Sequence, residues 1–175
     1  RASQIVQARG NRRQLEALLA NENVSGYCIH AFTDGDWILG AGLIDHWQRP
    51  KAAYHSIAAA NAHSGLFCFP QQRNLVHGEP VNCNLVWCDA HFLAPECIQI
   101  SNDGAEHTIS NISWSAATSF KRAQATIPSH LLQPGKNNIQ VQCLGTTGET
   151  LSSIQVEVYS ILEQPVQQKH RLVLY

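Results

Sequence analysis

Beyond about residue 70 the apolar residues recur at every second position, and that period restricts the chain to strands with one face turned inward. Val81, Cys83, Leu85 and Trp87 alternate with Asn82, Asn84 and Val86. Ile98 and Ile100 run up to Asn102-Asp103-Gly104, Ile139, Val141 and Cys143 run up to Gly145-Thr146-Thr147-Gly148, and Ile154, Val156 and Val158 close the series. Glycine, asparagine and aspartate between alternating runs mark turns, because they tolerate the left-handed backbone that tight connections require. Short strands punctuated this way predict an antiparallel immunoglobulin-like β-sandwich over residues 71–165. The Cys…Trp…Cys spacing of antibody domains is not matched. Residues 166–175 read as a polar linker and the start of a further strand, Arg171 to Tyr175.

Residues 1–70 follow a different rhythm. Ile5, Val6, Leu15, Leu18 and Leu19 fall on a helical pattern from Ser3 to about Ala20, interrupted at Gly10-Asn11. VSGYCIHAF, residues 24–32, is an apolar run of strand length that suits a strand covered on both faces. A loop from Thr33 to Gly42 follows, and Pro50 suits the first turn of a helix running through Ala60 with Tyr54 and Ile57 inward. One strand cannot make a sheet, so its partners are expected outside this sequence. The chain begins at Arg1 and contains no methionine; it is expected to be a piece of a larger protein.

Composition removes several function classes. Twelve basic residues against thirteen acidic ones leave a net charge of −1 and no electrostatic footprint for a nucleic-acid backbone. No apolar run approaches the length of a membrane-spanning helix, so no membrane partner is expected. Six cysteines form no C-x-x-C pair, and Cys83 and Cys88 would face opposite sides of one strand. They suit buried free thiols, with a disulfide framework as the alternative. Nine histidines include no pair at i and i+4, and Asp34-Gly35-Asp36 lacks the further ligands of a calcium loop, so no metal or other cofactor is expected. No G-x-S-x-G elbow or phosphate-cradling glycine loop is present. Asn23-Val24-Ser25 and Asn111-Ile112-Ser113 are glycosylation sequons, relevant only to a secreted protein.

GYCIHAFTD, the loop with Trp37, Gly42-Leu43-Ile44-Asp45 and Arg49-Pro50-Lys51-Ala52-Ala53-Tyr54 together resemble the end of the (β/α)8 catalytic barrel of glycoside hydrolase family 2. The likeness covers about residues 13 to 61. Gly26, Tyr27, Phe32 and Asp34 match the family's eighth-strand pattern, while His30 stands where the family usually has a tryptophan against the sugar. The fold class it implies is the terminal helix-strand-helix of a TIM barrel, residues 1–70, followed by the sandwich. The activity it implies is retaining hydrolysis of β-linked sugars by two glutamates about 5 Å apart. Neither lies in this chain on that alignment: Glu16 falls inside the first helix and Glu22 at its exit.

The segment is then expected to supply substrate-binding rather than catalytic groups, namely His30, Phe32, Asp34 and Trp37. Each carries a competing role. His30 suits a sugar contact or an inward histidine bonded to neighbours; Asp34 suits a carboxylate that caps the loop before Gly35; Trp37 suits an aromatic platform or a cover for the rim. In the sandwich, Trp87 follows the core alternation and Trp114 is the freer sugar-stacking candidate. The partners expected are a carbohydrate and either the remainder of the parent chain or a second copy meeting residues 1–70. Alternatives to a glycosidase fragment are a non-catalytic carbohydrate-binding or structural β-sandwich module, and a pseudo-glycosidase.

Overall fold

A computed structural model describes residues 2–35, 40–61, 65–88, 95, 97–115 and 120–163. Its elements are α1 (Ala2–Leu19), α2 (Ala52–Ala60), β1 (Gly65–Pro70), β2 (Asn74–Val76), β3 (Val81–Cys88), β4 (Cys97–Asn102), β5 (Ala105–Ser110), β6 (Phe120–Ile127), β7 (Gly135–Leu144) and β8 (Thr150–Ile161), with a 3-10 turn at Ser129–Leu131.

The strands make two sheets, one of three strands in the order β1-β3-β6 and one of five in the order β2-β8-β7-β4-β5. Alternation places the inward residues of both against one core. Leu66, Cys68, Val81, Cys83, Leu85 and Trp87 from one sheet meet Ile98, Ile100, Ile139, Val141, Cys143, Ile154, Val156 and Val158 from the other. The β4–β5 hairpin turns through two residues: Asn102 pairs with Ala105, and Asp103 and Gly104 both take positive φ, 47° and 84°. That left-handed pair matches the twist of the flanking strands, and Asp-Gly supplies it at little steric cost. Below the turn, Asn137 is 1% exposed. Its carboxamide accepts from Asn102 Nδ2 at 2.9 Å and Gln133 N at 2.8 Å, and donates to Gln133 O at 2.8 Å.

The fold class expected from the sequence is corrected in two places. Residues 24–32 form no strand, so helix-strand-helix becomes helix, extended loop and helix. Among the described residues this run has no neighbouring strand; the loop that follows makes isolated bridges, among them Thr33 with Ile44 and Ile44 with Pro50. A strand exists only through the partner that takes up its N–H and C=O groups. The sheets also depart from an antiparallel immunoglobulin-like sandwich, because β2 lies parallel to β8. β1, which ends at Pro70, pairs with β3 over its whole length. The segment before residue 70 is therefore tied into the sheets.

α1 runs unbroken through Gly10-Asn11. It meets α2 and the loop in a small cluster of Ala8, Leu15, Leu43, Ala53 and Ile57. Its end sits on the outer face of the three-stranded sheet, where Ala20 packs with Phe67 and Val86. Cys83 faces the main core and Cys88 this outer cluster, so the two thiols do point opposite ways. The described cysteines are free.

Candidate functional site

The loop between α1 and α2 is organised by one buried cation. Lys51, 6% exposed, donates to Asp34 Oδ1 at 3.0 Å and Oδ2 at 3.2 Å, and to Gly40 O at 2.6 Å. Asp34 Oδ1 also accepts from Gly42 N at 2.8 Å. Gly42 is required there, since a Cβ would lie 2.4 Å from Asp34 N and 2.5 Å from Thr33 C. A buried ammonium is tolerable only when paired and fully bonded. Asp34 is thus spent on the fold of the loop, and its two oxygens point at Lys51 rather than at an open cleft.

A second carboxylate shapes the exit of the loop. Asp45 accepts from Trp47 N and Arg49 N, both at 2.9 Å, and from Arg49 Nε at 2.7 Å. Desolvation is the largest single influence and pushes the Asp45 carboxyl up, but the Arg49 and Trp47 donors together outweigh it and hold the group below its ordinary range. The turn passes through Gln48 at φ 62° and leaves Trp47 73% exposed. The Arg49 guanidinium sits 5.1 Å over the Trp47 ring, a cation–π arrangement.

His30 lies in the extended run, at a cis peptide to Ala31. It borders a cavity of about 330 Å³ together with Tyr27, Cys28 and the carboxamides of Gln7, Asn11 and Gln14, over a floor of Leu15, Leu43 and Ile57. Gln7 also donates to Ala41 O at 2.7 Å, tying α1 to the loop. The Tyr27 hydroxyl bonds Asn61 Oδ1. Phe32 is 56% exposed and meets Tyr54 edge-on, with ring centroids 6.5 Å apart. Of the four substrate-binding residues expected, His30 lines the cavity, Phe32 is exposed with its ring against Tyr54 and is not among the lining residues, and Asp34 is bonded to Lys51. Trp37 falls outside the described residues.

Two contributions were missed in the sequence. Gln7, Asn11 and Gln14 sit at i, i+4 and i+7, which is one helix face and was readable. Trp47 carried no periodic signal, because its exposure follows from the Asp45 turn.

A second concavity, about 900 Å³, opens against the three-stranded sheet, lined by Asn84, Val86, Asn111, Trp114, Arg122 and Gln124 among others. Trp114 packs partly on the main core and donates its indole N–H to Pro95 O at 3.0 Å, leaving ring surface but no free donor. Trp87 is 2% exposed and is core; its indole N–H has no partner among the described residues.

Several described glutamates are engaged by neighbouring groups. Glu16 bonds Arg12, Glu22 bonds Arg122, Glu106 bonds Gln99, and Glu149 accepts from Thr147. A general acid needs a carboxyl pushed up, whereas Glu149 and Glu157 are both held below the ordinary range, by Thr147 and by Lys136 respectively. Among the described residues no cluster of three or more His, Cys, Asp or Glu could hold a metal. No described helix is long and apolar enough to cross a membrane.

No protein-family model matches the chain, and no curated protein matches it. Solved structures give distant likenesses. BslA, a bacterial hydrophobin, aligns at 8% identity and a TM-score of 0.30 over 55% of this chain and 98% of its own. A Listeria innocua beta-glucosidase in complex with glucose aligns at 16% identity and 0.31, over 58% of this chain and 17% of that one. The Pseudomonas fluorescens alkylpurine DNA glycosylase AlkC, bound to DNA, gives 16% and 0.33, over 62% and 36%. Likenesses this weak carry no functional argument.

Proposed function

We propose that the chain is the C-terminal portion of a retaining glycoside hydrolase acting on β-linked sugars, similar to family 2. In this reading residues 27–32 contribute to a sugar-binding wall, and both catalytic glutamates come from sequence outside these 175 residues. The observation that supports it is the cleft at His30. His30, Tyr27, Gln7, Asn11 and Gln14 line it together with Leu15, Leu43 and Ile57. Sugars present hydroxyl groups and apolar C–H faces together, and this mixture of planar donors and aromatic faces answers both. The Lys51–Asp34 pair adds to it, because it joins the FTD and RPK halves of the quoted resemblance in one contact.

On this reading the 175-residue chain hydrolyses no glycoside, whereas the longer natural polypeptide does. Assay of both on β-linked aryl glycosides is the test. Hydrolysis by the short chain, or a longer polypeptide without two glutamates required for turnover, would sink the proposal. In the active polypeptide His30→Ala should raise KM by about tenfold, the loss of one good polar contact. The remainder of that polypeptide, or a second copy, would cover the apolar side chains that residues 1–70 leave exposed; sedimentation showing a strict monomer at all concentrations would exclude self-association.

A non-catalytic carbohydrate-binding module is the second reading, favoured by the Trp114 concavity. Glycan binding by the 175-residue chain that Trp114→Ala abolishes and His30→Ala leaves intact would select it.

A further inference from the structure

A separate cleft lies on the opposite side of α1, between that helix and β8. It measures about 190 Å³ and is lined by Arg9, Arg12, Arg13 and Arg73 against Glu16 and Glu157. Lys136 reaches Glu157 from the rim at 2.6 Å, bringing a fifth cation to two carboxylates. In a protein whose net charge is −1, this is a marked local excess of positive charge.

The carboxylates do not use up the guanidinium donors. Glu16 is taken by Arg12 Nε at 2.6 Å. Glu157 is taken by Lys136 on Oε2 and by the Tyr159 hydroxyl on Oε1 at 2.9 Å. Arg9 and Arg13 approach Glu157 only to 3.6 and 3.7 Å, beyond hydrogen-bond distance. Arg73 donates Nη1 to the backbone oxygen of Glu157 at 2.8 Å. Its guanidinium is disfavoured first by desolvation and next by the like charge of Arg13. Guanidinium forks on two elements, with N–H donors not hydrogen-bonded among the described residues and held together against their own repulsion, are what a tetrahedral oxyanion requires.

We propose that this cleft binds a doubly charged phosphate or sulfate group, clamped by Arg9 and Arg13 of α1 and by Arg73 of the β1–β2 connection. The bound anion would offset the repulsion among the arginines and fasten α1 to the sheets. This site does not depend on the glycosidase reading, because it shares no residue with the His30 cleft.

The test is calorimetric titration of the whole chain with inorganic phosphate and with inorganic sulfate at fixed ionic strength, chloride serving as the reference anion. Arms with a sugar phosphate and a sugar sulfate distinguish the sources of the group. One saturable site is expected for the dianions and none for chloride. Arg13→Gln should weaken binding by about tenfold or more through loss of a charge-assisted contact, and Glu157→Gln should tighten it by removing a competing carboxylate. Both residues line the cleft, and circular dichroism of each variant would check that it folds. Absence of saturable binding, unchanged affinity in Arg13→Gln, or weaker binding in Glu157→Gln would each overturn the proposal. A loss of thermal stability in Arg13→Gln that is equal with and without phosphate would show the arginines to be structural only, which also overturns it.

Discussion

The two regions of this molecule solve the problem of burying apolar surface with unequal success. The two sheets cover a common core: Val81, Ile98, Ile139, Cys143 and Val158 are each 0% exposed. The region before α2 leaves Ile5, Val6, Phe32 and Trp47 at 49–73% exposure, and its loop is held by a buried ion pair together with a small apolar cluster around Leu43. A sheet pair needs only alternation to fill the space between its faces, whereas a lone helix pair and an extended run have one covered side and one open side.

The sharpest way to break this contrast is to truncate one side chain in each region. Leu85→Ala should lower unfolding free energy by about 2–5 kcal/mol, while Ile5→Ala should change it by less than about 0.5 kcal/mol. Paired denaturant titrations check this, and a large effect of Ile5→Ala would mean that α1 is covered in solution. Next in size is Lys51→Ala, which strands the mostly buried Asp34 carboxylate. A loss of about 2–4 kcal/mol is expected, reduced from a fully buried pair because Asp34 keeps some solvent contact. Hydrogen exchange should quicken over residues 40–45 and stay unchanged in β7. Asn137→Ala removes a buried carboxamide that serves several backbone groups and should cost about 2 kcal/mol, read as a drop in the melting temperature of the sheets.

Acid should weaken the Lys136–Glu157 contact between β7 and β8, and with it the weaker reach of Arg9 from α1. The Lys136 ammonium, aided by Tyr159 and Arg9, holds the Glu157 carboxyl down despite partial desolvation. A depressed carboxyl contributes stability above its unfolded value of about 4.3, and that contribution is lost as pH falls through the lower folded value. Glu157→Gln should therefore flatten the stability profile below about pH 4, which a series of melting curves measures. The smallest effect expected is kinetic. Burial pushes the Cys143 thiol up to about 12, and Cys88 is raised to about 11, so alkylation near pH 8 should reach exposed Cys28 first and Cys143 only on unfolding.

Legibility in the sequence tracked the same contrast. β3, β4, β7 and β8 announced themselves through Leu85, Ile98, Val141 and Val156, each at alternate positions. β6 did not, because its inward residues include Ala123 and Ala125, too small to register as a hydrophobic period. VSGYCIHAF misled for the opposite reason: its composition suits a buried strand, yet Phe32 is exposed and the run has no described strand beside it. At the candidate site, His30 and Phe32 were expected on a strand; in the structure His30 lines the cavity from an extended run and Phe32 lies exposed outside it. The diversion of Asp34 to Lys51, seventeen residues away, could not be read from the sequence.

By itself the sequence determined the period, the Asp103-Gly104 turn and the helix after Pro50, since each follows from backbone sterics and local spacing. Only the tertiary structure decided that β2 runs parallel to β8 and that Leu66 N bonds Ser152 Oγ at 3.0 Å across 86 residues. It also decided that arginines of α1 gather beside Arg73. Those outcomes depend on which distant surfaces exclude water together, a property of the whole chain that no local pattern records.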